Sequence, residues 1–225
     1  MGTRVIGHRG ASHDHPENTV EAFGAAQAMG ADWVELDVRV TADHELIVHH
    51  DPVLPDGRAI SELACSDLPT EVPSLAAALA ASSPMGVNVE IKNEPTESGF
   101  DADRSMVGPV LDVIEASGVE ALISSFDFEV LEMVHRLGDV ATGYLVYLVD
   151  DPIDAVTRAA DAGHDAINPW YGFVDEVLVA RCHDVGLAVN VWTVDGAAAV
   201  HACRDMRVDG IITNDPAATR AALAT

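Results

Sequence analysis

The chain has 225 residues, 48% of them hydrophobic, and its 37 acids against 12 bases give a formal charge of −25. This length fits one large domain or two small ones, with a substantial core, and the negative field repels nucleic acid and anionic membrane surfaces. No stretch approaches the roughly 20 unbroken apolar residues needed to span a bilayer. The three cysteines are too widely spaced for a disulfide framework or a zinc site, and with no charged-then-apolar leader a cytoplasmic location is expected.

Arg4-Val5-Ile6-Gly7-His8-Arg9-Gly10 reads as a short buried strand ending in polar residues and glycine. A loop with Pro16-Glu17-Asn18 follows, and Thr19 is placed to N-cap a helix over Val20 to Met29. Trp33-Val34-Glu35-Leu36-Asp37-Val38 is the next strand. Side chains two apart on a strand share a face, so Glu35 and Asp37 project together while Val34, Leu36 and Val38 face the other way. Adjacent carboxylates repel unless a proton or a cation lies between them, and a hard divalent cation is a natural partner. The solvated face of an edge strand would give the same pattern, so the decision rests on the rest of the chain.

Ala42-Asp43-His44-Glu45 is a turn, and Leu46-Ile47-Val48-His49 is a second apolar run. The turn is too short for a parallel crossover, so the two runs form an antiparallel hairpin. Pairing about the turn centre sets residue i near 86 − i, with Asp37 opposite His49 to within one residue. His50 then comes within reach of Glu35 and Asp37. Residues 52–72 read as irregular, and a Leu- and Ala-rich helix runs from Ser74 to Ala81. In the strand Val87-Asn88-Val89-Glu90-Ile91-Lys92, the residues Asn88, Glu90 and Lys92 share one face. A helix over about 102–117 ends at Gly118. Strands at 120–124, 140–146, 165–168, 188–193 and 208–212 then alternate with helices at 128–136, 153–162, 174–185, 196–204 and 216–224.

Without the hairpin's return arm this makes eight strands, each followed by a helix. The expected fold is α/β, a (β/α)8 TIM barrel with a short hairpin and a small insertion after strand 2, formed by residues 1–225 as a single domain. The site of such a barrel lies at the C-terminal ends of its strands. Those ends supply His8 and Arg9, then Glu35 and Asp37, then His50 and Asp51 from the hairpin arm, then Glu90 and Lys92, with Ser125-Phe126, Asn168, Trp192-Thr193 and Asn214-Asp215 further on. Each has an ordinary reading alone. Glu90 and Lys92 could be an ion pair worth on the order of 0–1 kcal/mol if exposed, Trp192 could be core, and Asp215 before Pro216 is a helix N-cap. His13, His15 and His49 read as solvated or turn residues. The convergence of two histidines, three acids, Arg9 and the sole lysine, Lys92, on one rim points to a ligand.

His8-Arg9-Gly10 with Pro16-Glu17-Asn18-Thr19, then Glu35-Leu36-Asp37-Val38, Thr41-x-Asp43, His50-Asp51, Glu90-Ile91-Lys92, Ser125-Phe126 and Val191-Trp192-Thr193-Val194 resemble the glycerophosphodiester phosphodiesterase family, in order, from residue 4 to about 216. The resemblance implies hydrolysis of a small glycerophosphodiester to glycerol 3-phosphate and an alcohol. It also implies a divalent metal ion, Mg2+ or Ca2+, on Glu35, Asp37 and Glu90, with His8 and His50 as the acid–base pair. Arg9 would neutralise the phosphoryl oxygens bidentately, Lys92 would add charge, and Trp192 would pack on the glycerol backbone. Either histidine could be the acid or the base, and the nucleophile is water or the glycerol 2-hydroxyl. The segment between Asp51 and Pro73 is shorter than in the family, with Pro55-Asp56-Gly57-Arg58 where an Arg-Thr-Thr-Gly-like stretch is expected, so the alcohol side is open or differently lined. Two alternatives stand beside this reading. One is a lysophospholipase D-like lipid enzyme, against which the charge and the lack of a basic amphipathic helix weigh. The other is a non-catalytic barrel binding a phosphorylated ligand, which would be expected to have lost a carboxylate or histidine. The acid excess leans toward adaptation to high salt, and the sequence leaves the oligomeric state open.

Overall fold

The computed structural model describes residues 2–147 and 151–225. Strand β1 (Arg4–His8) is followed by α1 (Val20–Ala28), β2 (Trp33–Val40), β3 (Leu46–Val48), α2 (Leu75–Ser82), β4 (Gly86–Ile91), α3 (Val107–Ser117), β5 (Ala121–Ser125), α4 (Phe128–Leu137), β6 (Ala141–Val146), α5 (Pro152–Asp161), β7 (Ala166–Pro169), α6 (Glu176–Asp184), β8 (Ala188–Val191), α7 (Ala197–Met206), β9 (Gly210–Thr213) and α8 (Pro216–Leu223). Eight parallel strands close into a ring, β1-β2-β4-β5-β6-β7-β8-β9 and back to β1, while β3 adds an antiparallel arm to the outer end of β2. The fold is the expected (β/α)8 barrel with one extra strand.

The helices begin where the sequence supplies acceptors for their unpaired N–H groups. Thr19 accepts from the Ala22 amide, Ser74 from Ala77, and Asp127, Asp151, Asp175 and Asp215 cap α4, α5, α6 and α8. Four of the many acids are therefore structural, each cap worth about 1 kcal/mol. The apolar alternation of β2 and β4 packs Val34, Leu36, Val38, Val87, Val89 and Ile91 outward against α1, α2 and α3 in one large core. A second core lies under α5 to α8. The other face of each strand fills the barrel.

The hairpin pairs Val38 with Val48, Arg39 with Ile47 and Val40 with Leu46, and the His49 amide donates to the Asp37 carbonyl. This is the expected register. The segment after it is not wholly irregular: Ile47, Leu54 and Ile60 make a small core of their own, and residues 60–62 and 65–67 form short 3-10 helices. The expected helix over 102–117 begins only at Val107. Residues 94–106 instead form a loop tied by side chains, with Asn93 bonding to Asp101 and Asp127, and Arg104 to Asp127. Other element ends shift by one or two residues from expectation, β2 continuing to Val40.

Candidate active site

Strand register sets the site. His8 lies beside Glu35, Glu35 beside Asn88, and Asp37 beside Glu90. The inward faces of β2 and β4 thus bring Glu35, Asp37 and Glu90 together, each buried, with ligand atoms within 4.8 Å of one another. His8, Arg9, Glu35, His50, Asn88, Glu90, Lys92, Phe126 and Trp192 line one cavity above them. Of the residues expected in the site, His8, Arg9, Glu35, His50, Glu90, Lys92 and Trp192 line this cavity, and Asp37 lies against Arg9 and Lys92 beside it.

The loop carrying His8 and Arg9 turns tightly against α1. Gly10 has φ +87°, and a Cβ there would meet Ala22 at 2.6 Å, so only glycine lets this loop approach. The turn aims the Arg9 amide at Glu35 Oε2, 2.9 Å away. The Arg9 guanidinium lies between two acids, with Nη1 donating to both Glu17 oxygens at 2.9 and 3.0 Å and Nε 3.3 Å from Asp37 Oδ2. The Lys92 side chain is buried, its Nζ 2.8 Å from Glu90 Oε1 and 3.8 Å from Asp37 Oδ1. The Glu90–Lys92 pair is therefore part of a buried network and not the weak exposed pair of the ordinary reading.

These neighbours split the three carboxyls. Burial drives Glu35 well above the usual carboxylate range, with repulsion from Asp37 and Glu90 adding to it. Burial raises Glu90 as well, Lys92 pulling against it. Burial also pushes on Asp37, but Lys92 and Arg9 outweigh it and hold Asp37 below its ordinary value. Burial opposes the charge on Lys92, yet Glu90 and Asp37 push it upward. Glu35 Oε1 is buried without a hydrogen-bond partner, so a partner for it is missing from the side-chain network itself.

The two histidines have different partners. His8 Nδ1 is 2.7 Å from Asn214 Oδ1, and its Nε2 is 4.0 Å from Glu35 Oε2. The Asn214 amide donates to Asp195 Oδ2 at 2.6 Å, which fixes its oxygen toward the ring. The amide oxygen can only accept, so His8 carries its proton on Nδ1 and presents a free Nε2 to the cavity. Burial, with the charge of Arg9, holds His8 below its ordinary pKa. His50 Nδ1 is 2.7 Å from the exposed carboxylate of Asp51. Trp192 is half-buried, its indole N–H donating to the Asn168 carbonyl and its ring edge-on to Phe126, 5.8 Å between centroids. His13, His15 and His49 bond locally to Asp14, Glu21 and the Asp51 carbonyl, as expected of turn residues.

Several residues that build the site were given no role by the sequence. Asn18 donates to Asp37 Oδ2 at 2.8 Å, and its position inside Pro16-Glu17-Asn18-Thr19 was the available signal. Asn214 and Asp195 orient His8, and only the strand-end position of Asn214 marked it. Arg39 and Glu97 carried no signal.

Residues 8–218 match the model of the "Glycerophosphoryl diester phosphodiesterase family". A glycerophosphodiester phosphodiesterase of Caldanaerobacter subterraneus subsp. tengcongensis is 31% identical, the match covering 96% of each chain. Among solved structures, a glycerophosphodiester phosphodiesterase of Thermotoga maritima is 26% identical with a TM-score of 0.83, covering 96% of each chain. An Oleispira antarctica phosphodiesterase in complex with sn-glycerol-3-phosphate superposes with a TM-score of 0.90 at 22% identity, covering 100% of this chain and 98% of that one.

Proposed function

The chain belongs to the glycerophosphoryl diester phosphodiesterase family, and from that premise we propose that it cleaves glycerophosphodiesters by proton transfer between His8 and His50 beside a divalent metal ion. It is an enzyme, a glycerophosphodiester phosphodiesterase, which sets aside the non-catalytic alternative; glycerol 3-phosphate and an alcohol are the products this reading expects. No helix among the described residues is long and apolar enough to cross a membrane. We read residues 1–225 as one catalytic domain acting on a small-molecule glycerophosphodiester.

The observation that carries this reading is the pairing of a three-carboxylate cluster with two histidines in one cavity. Glu35, Asp37 and Glu90 suit a hard cation: all three are oxygen donors, one oxygen of Glu35 lacks a partner, and their mutual repulsion is only partly offset by Lys92 and Arg9. Mg2+ or Ca2+ held there would supply charge against the phosphoryl oxygens. Arg9 meets the phosphate from the β1 loop, Lys92 keeps Asp37 and Glu90 from repelling the anion, and Trp192 with Phe126 provides an apolar wall for the glycerol carbons. The Nε2 of His8, free and of low basicity, takes a proton from the attacking hydroxyl. His50, backed by the carboxylate of Asp51, returns one to the leaving alcohol.

The test is release of glycerol 3-phosphate from glycerophosphocholine, -ethanolamine, -glycerol and -inositol, with Mg2+, Ca2+ or chelator, at low and high salt. Turnover is expected with metal and lost with chelator. Full activity after complete metal removal would overturn the assignment of Glu35, Asp37 and Glu90.

A further inference from the structure

His50 stands in a turn just beyond β3, where the strand ladder has ended. Its ring is tied only to Asp51, an exposed side chain one residue away. Its main chain makes no backbone hydrogen bond among the described residues. What holds it is Arg39. That residue is two beyond Asp37 on β2, so it rises from the same face as Glu35 and Asp37 toward the rim. Arg39 is 6% exposed. Its Nε donates to the His50 carbonyl at 2.8 Å, its Nη2 donates to the same oxygen, and its Nη1 donates to Glu97 Oε2 at 2.8 Å. One planar guanidinium thus joins the hairpin turn to the loop that follows β4. A lysine at this position has no fork with which to bridge a carbonyl and a carboxylate. Arg39 also walls a cavity of about 240 Å3 bounded by Thr41, Pro52, Ile60 and Met106, next to the turn that carries His50.

We propose that Arg39 is a positioning residue for His50, and that Glu97 orients Arg39 for that task. The inference rests on the reading of His50 as one of the two proton-transfer groups. Arg39 itself lies behind the histidine and touches neither the phosphate nor the leaving alcohol. Its loss lets the His50 main chain swing, which lowers the fraction of turnovers with the ring aligned and leaves the metal carboxylates and the glycerol wall as they are.

The test uses R39K, R39M and E97Q in the full chain, with two readouts: steady-state kcat and KM for glycerol 3-phosphate release, and the His50 ring resonances by NMR, identified by comparison with H50Q. R39M is expected to lower kcat about 10–100-fold, the usual effect of losing a residue that orients a functional group, with KM little changed. R39K should recover only part of the loss, and E97Q, which keeps an acceptor oxygen, should lose least. In each the His50 resonances move while those of His8 stay. Should R39M not fold, R39K and E97Q carry the test. A drop in thermal midpoint with kcat and the His50 resonances unchanged overturns the proposal, because that is what a merely structural arginine would give. If the wild type turns over no glycerophosphodiester, the functional reading has failed, and the resonances still report whether Arg39 sets His50.

Discussion

Two polar clusters sit at opposite ends of this barrel, and the buried groups within them answer burial in opposite ways. At the strand C-termini, Glu35, Asp37, Glu90, Lys92 and Arg9 are packed together. Near the strand N-termini, His135 Nε2 and His164 Nδ1 both bond to the hydroxyl of Thr142, at 2.8 and 3.0 Å, with Phe128 edge-on to His164. Burying a charge costs several kcal/mol unless it is paired. The lower cluster avoids that cost by discarding charge: burial, with His135 nearby, pulls His164 down to about 4. The upper cluster keeps charge at Asp37, which Lys92 and Arg9 hold ionised against burial even though burial pushes Glu35 and Glu90 upward. Keeping charge where neutrality was available is the physical mark of a site that serves a ligand.

The comparison breaks first at the two histidines that line the cavity beside the upper cluster. His8→Ala and His50→Ala should each lower kcat by about 10²–10⁴-fold, the usual contribution of a positioned acid or base, with fold and metal binding intact. His135→Ala, a change in the lower cluster, should leave kcat per folded molecule unchanged. Near-normal turnover in either catalytic variant would remove that residue from its role. A large loss of kcat in His135→Ala would erase the distinction between the two ends.

A smaller effect sharpens the roles within the upper cluster. Asn214 fixes the His8 tautomer through a single acceptor oxygen, itself held by Asp195. Asn214→Leu removes that acceptor and lets the proton move to Nε2, where it blocks proton uptake. The expected loss is about 10–100-fold in kcat, with the basic form of His8 shifted from Nδ1–H to Nε2–H in its 15N spectrum. An unchanged tautomer would mean that Asn214 does not set it.

The upper cluster was legible in the sequence and the lower one was not. Glu35-x-Asp37 could be read because the strand period of two puts both acids on one face. His50 could be placed opposite because a four-residue turn fixes the hairpin register, and the observed pairs Val38–Val48 and Val40–Leu46 follow it. Arg39 was missed because it lies beyond the Val38 at which the strand reading ended, and its partners come from residues 50 and 97, which no local period joins. Asn18 and Asn214 are neutral amides whose roles depend on what folds against them. The late start of α3 has the same origin: Asp101 and Arg104 look like a helical turn in isolation, and contacts to Asn93 and Asp127 pull them into a loop. His135 and His164 were invisible because a lone histidine on α4 and another just before β7 carry no pattern.

The lower cluster makes the smallest prediction and the one that isolates the cost of charge. His164 titrates near 4 in the folded chain and near its ordinary value when unfolded. Between those limits the unfolded chain binds a proton that the folded chain refuses, so stability falls as pH drops from about 6.5 toward 4 and is unaffected by this group above that range. The −25 charge means that many carboxylates also titrate on the way down, so the wild-type curve alone is not diagnostic. His164→Leu removes the one group and keeps the rest. The difference in urea-unfolding free energy, wild type minus His164→Leu, should be level near neutrality and decline by about 1–3 kcal/mol by pH 4, at roughly 1.4 kcal/mol per pH unit of difference between the two states. A difference that stays flat across that window would mean that the folded chain accepts the proton, with the Thr142 hydroxyl accepting a hydrogen bond from the imidazolium. The contrast between a cluster that sheds charge and one that keeps it would then fail at its simpler end.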